Sequence, residues 1–147
     1  MTTPSSGMDT VHQLRRVAVA FNELGARFAT EKDLHPTDLR AIICLLDAAR
    51  AGTPATPGWL GRQLRLNPAS VTALIDRLER AGHVRRDRDP DDRRRVRLLV
   101  EPSAQKLGWE FFGPVITRIA GVAGALRPRE LAVVNRFLAA ILEATHD

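Results

Sequence analysis

The sequence has one cysteine, Cys44, and no tyrosine among its 147 residues. A single cysteine excludes an internal disulfide and fits a reducing cytoplasm. No run of about 18 uncharged apolar residues occurs, so we expect no membrane-spanning helix and no membrane partner. The first ten residues, MTTPSSGMDT, are polar and lack the basic-then-apolar layout of a signal peptide. These absences together predict a cytoplasmic protein.

The sequence patterns of enzymes and metal sites are also missing. There is no glycine-rich phosphate loop, no serine–histidine–aspartate grouping and no carboxylate pair at helical spacing. The acidic residues that cluster at 87–92 lie among arginines, which would keep them ionised rather than poised for proton transfer. We therefore predict that the chain is not an enzyme and requires no cofactor. The histidines lack the spacing of metal ligands, so no metal site is expected. They are His12, His35, His83 and His146.

The positive charge is confined to one segment. The chain carries a formal net charge of +5, and residues 62–97 contain eleven arginines against six acidic residues, which accounts for the whole excess. A localised positive field is typical of a surface that binds a polyanion. The alternative is a solvated charged face, which is common on protein surfaces.

Apolar periodicity predicts six helices, and a hairpin is predicted at 84–100, where turn residues separate two short strands. The fold class is therefore all-α with a small β-hairpin. Thr37 is the expected cap of the second helix. Pro114 lies inside the long fifth helix, where a proline removes a hydrogen bond and clashes with the preceding turn, so we expect a kink or a break there. The six helices are expected at about 9–29, 37–49, 57–64, 68–81, 103–126 and 128–144.

Residues 57–81 have the pattern of a helix-turn-helix. Asn67 is a good cap for the second helix, with Pro68 at its first position, and Gly82 supplies its stop. A helix of this kind can enter the DNA major groove while its apolar side stays on the core. Its inward positions are Val71, Leu74, Ile75 and Leu78. The residues predicted to face DNA are Ala69, Ser70, Thr72, Ala73 and Arg77.

The stretch SVTALIDRLERAGHVRRDRDPDDRRRVRLLV resembles the recognition helix and wing of the MarR family of bacterial transcription regulators. The family's wing signature, Asp-x-Arg followed five residues later by Leu-Thr, corresponds to Asp92-Arg93-Arg94 and then Val100-Glu101. The chain departs from the pattern at Val100-Glu101, and at Ala104, where a glycine is common, so Ser103 is an alternative cap for the next helix. Ala73 replaces a larger polar residue that is frequent in the family.

The resemblance implies a winged helix-turn-helix dimer with two wings that grip pseudo-palindromic DNA. Residues 36–100 would form the DNA-binding lobe and residues 9–30 and 103–147 the dimerisation helices of one domain at 9–147, preceded by a disordered tail at 1–8. Asp92 would pin the wing through an ion pair with a nearby arginine, and Arg94 at the tip would enter the minor groove. The arginines that would flank Arg94, some of them on phosphates, are Arg85, Arg86, Arg88, Arg93 and Arg95.

The predicted function is a sequence-specific regulator of transcription that binds double-stranded DNA as a homodimer, a repressor relieved by a small-molecule effector. By resemblance, the effector crevice lies between the dimerisation helices and the DNA-binding lobe, where Phe21, Phe28 and Trp109 would line it. Such aromatic residues are more often core or dimer contacts. Cys44 lies in the apolar run IICLL without a partner cysteine and is predicted to be inert. An architectural DNA binder without sequence preference and a protein-interaction module remain as alternatives.

Overall fold

The computed structural model describes residues 6–145, and this part of the chain forms six helices and one two-stranded antiparallel sheet. The predicted fold class is confirmed, because each expected helix and the hairpin are present. In the sheet Val84 pairs with Val100 and Arg88 with Val96. In chain order the elements are α1 (Gly7–Glu31), α2 (Pro36–Ala51), α3 (Pro57–Leu64), α4 (Pro68–Arg80), β1 (Val84–Arg88), β2 (Val96–Val100), α5 (Pro102–Gly124) and α6 (Pro128–Ala144).

The first helix starts earlier than predicted. The Ser6 hydroxyl accepts a hydrogen bond from the Asp9 backbone N–H at 3.2 Å, and the Asp9 carboxylate accepts one from the Ser6 N–H at 2.8 Å. This reciprocal capping box begins α1 at Gly7. Ser6 therefore caps the helix, Gly7 and Met8 belong to it, and residues 1–5 of the predicted tail lie outside the described residues.

Two predicted helix caps are wrong for one reason, which is a proline at the first helical position. α2 begins at Pro36 with His35 before it, so Thr37 lies inside the helix. α5 begins at Pro102, so Ser103 also lies inside its helix. A proline fits the first position because its φ is already helical and its missing N–H has no partner there. The Ser103 hydroxyl instead donates to the Gly82 carbonyl at 2.6 Å.

Residue contacts divide the chain into a first unit, residues 1–111, and a second unit, residues 112–147. In the first unit α2 lies at the centre of the core, with Leu39, Ile42 and Leu45 almost fully buried. Burial of an apolar side chain of this size contributes about 1.5–3 kcal/mol. The apolar faces predicted for α3 and α4 pack into the same core and are confirmed. They consist of Leu60 and Leu64 in α3 and Val71, Leu74, Ile75 and Leu78 in α4.

The C-terminal part of α1 is anchored in the first unit, whereas its N-terminal part is not. The rings of Phe28 and Phe111 pack with their centroids 4.8 Å apart. Beside them, Lys32 Nζ lies 2.9 Å from Glu110 Oε2. Towards its N-terminus α1 carries large apolar side chains on its surface, namely Met8, Val11, Val17 and Val19. This half of α1 therefore presents apolar area that the described chain leaves in solvent.

The second unit consists of the rest of α5 and of α6. One helix runs through Gly113 and Pro114, so the alternative of a break at the proline is wrong. One turn later, the Thr117 hydroxyl donates to the Gly113 carbonyl at 2.8 Å. Within α6, which lies entirely in the described part of the chain, no residue is buried. Its exposed large apolar side chains are Val133, Val134, Phe137, Leu138 and Leu142.

Candidate nucleic-acid interface

The turn between α3 and α4 is fixed by its local sequence. Arg65 ends α3 in the left-handed conformation, with φ 55° and ψ 45°. A Cβ atom on Gly61 would lie 3.0 Å from Val71 Cγ2 and 3.3 Å from the Leu66 carbonyl oxygen, so the close approach of the two helices leaves little room for a side chain there. The Asn67 side-chain oxygen accepts a hydrogen bond from the Ser70 N–H at 2.8 Å, which confirms the predicted cap.

The first half of α4 presents only small side chains to solvent. Ala69, Ser70, Thr72 and Ala73 are exposed, while Val71 between them is buried. The Thr72 hydroxyl donates to the Pro68 carbonyl at 2.9 Å, so its proton is used within the helix and its oxygen remains an acceptor. This side of the helix is shaped for close contact with a flat or grooved partner.

Arg77, which is predicted to reach DNA, also forms an ion pair within the lobe. Its Nη2 lies 2.7 Å from Asp38 Oδ1 and its Nε lies 3.3 Å from Asp38 Oδ2, which joins α4 to α2. Asp38 is only 6% exposed, and the hydrogen bond with it raises the pKa of Arg77 above its ordinary value. Because a buried carboxylate needs a partner, Arg77 is committed to this contact.

Arg86 is also paired rather than free. Its Nη2 donates to Asp76 Oδ1 at 2.7 Å, and its Nη1 donates to Glu79 Oε2. The hydrogen bond that Arg86 donates to Asp76, reinforced by the one to Glu79, raises the pKa of Arg86. Since Asp76 and Glu79 belong to α4 and Arg86 to β1, this arrangement, which we call the wing clasp, fixes the hairpin against α4.

At the tip of the hairpin, the acidic residues bind backbone amides instead of arginines. Asp89 is 8% exposed, and its Oδ1 accepts from the Asp91 N–H at 3.0 Å. Asp92 Oδ1 accepts from the Arg94 N–H at 3.0 Å, and the Asp92 carbonyl accepts from the Arg95 N–H at 2.9 Å. The predicted ion pair of Asp92 is absent from residues 6–145. The structure thus gives Asp92 a turn-forming contact of the kind that short acidic side chains make.

These backbone contacts leave the arginines near the tip unengaged. Arg88, Arg93, Arg94 and Arg95 are exposed. No guanidinium of these four, which we call the wing arginines, forms an ion pair within the described residues. The wing arginines lie on or between β1 and β2, and the strand pairing holds both ends of their loop. They form a cluster of four positive charges that is available to an anionic partner.

The base of the hairpin is held by ion pairs of Arg85 and by a backbone hydrogen bond to the lobe. Arg85 pairs with Asp87 and with Glu101, each at 2.8 Å, and its hydrogen bond holds the pKa of Asp87 below the ordinary value. The Leu98 N–H donates to the Ala55 carbonyl at 2.8 Å, so the segment before α3 adds a backbone bond to β2. The hairpin therefore has a fixed base and a charged, solvent-facing tip.

No described contact joins the residues that are predicted to line an effector crevice. Phe28 is buried against Phe111, Phe21 is half-buried, and Trp109 is 65% exposed.

Burial raises the pKa of the Cys44 thiol, which keeps it protonated at neutral pH and agrees with an inert role. Within the described part of the chain, no cluster of histidine, cysteine and acidic side chains could hold a metal ion, and no helix is both long and apolar enough to cross a membrane.

The acidic partners of the paired arginines are the functional residues that the sequence interpretation missed. Asp76 and Glu79 are three positions apart, on one side of α4, shortly before Arg86, and that spacing was a usable signal. Asp38 lies 39 positions before Arg77. No local pattern connects those two residues, so only the packing of α2 against α4 reveals the pair.

Comparison with known proteins adds independent support. The MarR family model matches residues 35–96. YcgE, an uncharacterised HTH-type transcriptional regulator of Bacillus subtilis (strain 168), is 35% identical over 134 residues, which cover 86% of this chain and 84% of YcgE. A MarR family protein of Bacillus stearothermophilus has a similar structure, with a TM-score of 0.69, 22% identity and 100% of both chains covered.

MepR of Staphylococcus aureus also shares the fold. A MepR mutant bound to an oligodeoxyribonucleotide has a TM-score of 0.60 at 18% identity, covering 92% of this chain and 97% of MepR. MepR bound to ethidium bromide has the same TM-score at 17% identity, covering 92% and 95%. The family and these relatives are transcriptional regulators rather than enzymes. With a family model matched across the helix-turn-helix and a regulator 35% identical along most of its length, the chain belongs to the MarR family.

Proposed function

We propose that the chain binds double-stranded DNA sequence-specifically as a homodimer and acts as a repressor that a small-molecule effector releases from a pseudo-palindromic operator. The observation that carries the proposal is one lobe with two exposed features, the small-residue face of α4 and the four wing arginines. The wing clasp joins them, so both would meet one duplex in a fixed relation.

The contacts expected with DNA follow from this arrangement. Ala69, Ser70, Thr72 and Ala73 let α4 approach the floor of a major groove closely, and the positive end of the helix dipole favours a phosphate near its N-terminus. The wing arginines would then reach the neighbouring minor groove or backbone, where negative potential is strongest in narrow tracts. MepR, with the same fold, is known in complex with an oligodeoxyribonucleotide, which supports the same use of the lobe here.

Dimerisation is supported by the apolar area that the chain leaves exposed. α6 buries none of its residues, yet Phe137 and Leu138 lie on its surface. In the same unit Ile116 and Ile119 of α5 are also exposed. Large apolar side chains left exposed in such number are typical of an interface. A two-fold dimer would present two α4 helices about one DNA turn, roughly 34 Å, apart, and so would match a pseudo-palindromic site.

The effector step is supported by aromatic side chains of α1 and α5. Trp109 offers an exposed indole, and Phe21 and Phe28 are the other candidates to line a crevice. MepR, which shares the fold, is known with ethidium bromide bound. An effector that alters the spacing of two α4 helices would weaken operator binding, and couplings between such sites are typically about 1–3 kcal/mol.

One titration tests the DNA-binding proposal. Full-length protein is titrated by fluorescence anisotropy with a selected palindromic duplex and with random duplexes of equal length, at two salt concentrations. A preference of about a thousandfold or more for the palindrome supports the proposed regulator. Equal, salt-sensitive binding to both would identify an architectural DNA binder, and no binding at low salt would identify a protein-interaction module. Sedimentation of the free protein and of its complex tests the dimer separately.

A further inference from the structure

The half of α4 that would contact bases has no long side chain. Positions 68–73 carry proline, alanine, serine, valine, threonine and alanine. In a helix-turn-helix it is the N-terminal part of the second helix that meets base edges. Bidentate recognition of guanine requires arginine or lysine, and bidentate recognition of adenine requires asparagine or glutamine. Residues 68–73 therefore cannot make any of these bidentate contacts.

The long polar side chains that α4, its cap and β1 place nearest this half are already engaged, whereas Arg62 and Arg65, in the preceding helix and turn, are exposed. The Asn67 oxygen accepts from the Ser70 N–H, which holds this amide in its capping position at the start of α4. Arg77 is held by the buried Asp38, and Arg86 is held by Asp76 and Glu79. Moving Arg77 to a guanine would leave the Asp38 carboxylate buried without its partner. Direct reading of guanine by this helix is thus disfavoured.

Methyl groups and short hydroxyls remain on the exposed face. Ala69 and Ala73 present methyl groups, and Thr72, whose hydroxyl donates to the Pro68 carbonyl, adds a third methyl-bearing side chain to this exposed side. In the major groove, the C5-methyl of thymine is the feature that alanine and threonine methyls contact. Building on the proposed function, we propose that α4 recognises its half-site chiefly through thymine methyl groups, so that the specified pairs are A·T pairs and not guanine-read G·C pairs.

The test uses full-length protein and a library of random duplexes, from which tightly bound sequences are selected at moderate salt. We expect thymine to be enriched at positions that repeat symmetrically in the two half-sites. Each enriched thymine is then replaced by deoxyuridine, which removes only the methyl group and keeps the base pair. Loss of one buried methyl contact should weaken binding about fourfold. Replacing guanines by 7-deazaguanine, which removes the N7 acceptor, is the matched control and should leave affinity unchanged.

A conservative variant links the effect to the helix. Thr72→Ser removes the protein methyl and keeps the hydroxyl that bonds to Pro68. It should weaken binding to the thymine duplex, but cause no further loss on the duplex with deoxyuridine at the position that Thr72 contacts. Identical losses on both duplexes at every position would show that the two methyl groups do not meet, and would overturn the inference.

The outcomes separate this inference from the function on which it rests. If no sequence is enriched over random DNA, the proposed sequence-specific function itself fails. If enriched sites depend on guanine and lose affinity with 7-deazaguanine, the regulator stands and the thymine-methyl inference is wrong. Enrichment of A·T pairs that tolerate deoxyuridine would also overturn it, because the preference would then come from groove shape read by the wing.

Discussion

The arginines of α4 and the hairpin differ in whether they form ion pairs, and the difference follows their position. Arg77, Arg85 and Arg86 lie where α4 and the hairpin base meet the rest of the lobe, and each is paired with at least one carboxylate. The four wing arginines lie near the hairpin tip, where the acidic residues bind backbone N–H groups instead. Arginine thus forms ion pairs that stabilise the lobe in one region and remains available to an anion in the other.

This difference indicates that acidic residues decide the role of each arginine. Asp76 and Glu79 are rooted on a helix and can reach a guanidinium on the adjacent strand. Asp89 and Asp92 sit within a tight turn, where their short side chains meet amides two positions ahead. A net charge counted along the sequence cannot separate these cases. We therefore expect substitution of Arg77, Arg85 or Arg86 to lower the stability of the lobe, and substitution of a wing arginine to weaken DNA binding without changing stability.

The largest effect is expected at Arg77. Arg77→Ala leaves Asp38 buried and unpaired and should lower the free energy of unfolding by about 2–3 kcal/mol. This value is below that of a fully buried pair because the Arg77 side chain is 39% exposed. Urea denaturation measures the loss. Arg50→Ala, which removes an exposed pair with Asp47, is the control and should change stability by less than about 0.5 kcal/mol.

The Arg77 result can be sharpened with a second variant. Replacing both partners, as in Arg77→Met with Asp38→Leu, removes the charge and its need for a partner, and should recover most of the lost stability. If Arg77→Ala and the double variant were equally stable, Arg77 would not stabilise the lobe through its contact with Asp38.

At the wing tip, Arg94→Ala should weaken operator binding by about 1–3 kcal/mol and reduce the salt dependence by about one unit of slope. Arg94 is exposed and has no ion-pair partner within residues 6–145, so the free energy of unfolding should not change. Anisotropy titrations at several salt concentrations provide both quantities. Unchanged affinity and slope in a correctly folded variant would remove Arg94 from the interface.

The sequence alone predicts the local features behind this comparison. The Asn67 cap, the apolar side of α4 and the pairing of β1 with β2 each depend on residues close together in the chain, and all three are confirmed. The roles of Arg77 and Arg86 could not be predicted in the same way. They depend on whether a carboxylate lies within reach after α2, α4 and β1 have packed, and for Asp38 that information exists only in the folded chain.

A smaller effect is expected from opening the wing clasp. Arg86→Gln should lower the free energy of unfolding by about 1 kcal/mol, because its partners are partly exposed. The wing arginines would still bind phosphates, so affinity for random DNA should fall less than affinity for the operator. Arg86→Lys should recover only part of the preference, since an ammonium cannot span two carboxylates with a planar fork. Equal losses on both duplexes would contradict a positioning role.

The smallest effect is a pH dependence at the hairpin base. The hydrogen bond from Arg85, together with the Arg88 N–H, holds the pKa of Asp87 below its ordinary value. As the pH falls below about 4, the unfolded chain takes up this proton before the folded chain does, so the stabilising contribution, complete at higher pH, is lost with acidification. Asp87→Asn should therefore flatten the decline of the urea midpoint between about pH 5 and pH 3. Lys32 lowers the pKa of Glu110 in the same way, so Glu110→Gln should flatten the decline independently. The two effects should add because the sites share no partner. If the urea midpoint of Asp87→Asn fell more steeply with acidification than that of the unmodified protein, Arg85 would not hold this carboxylate in solution.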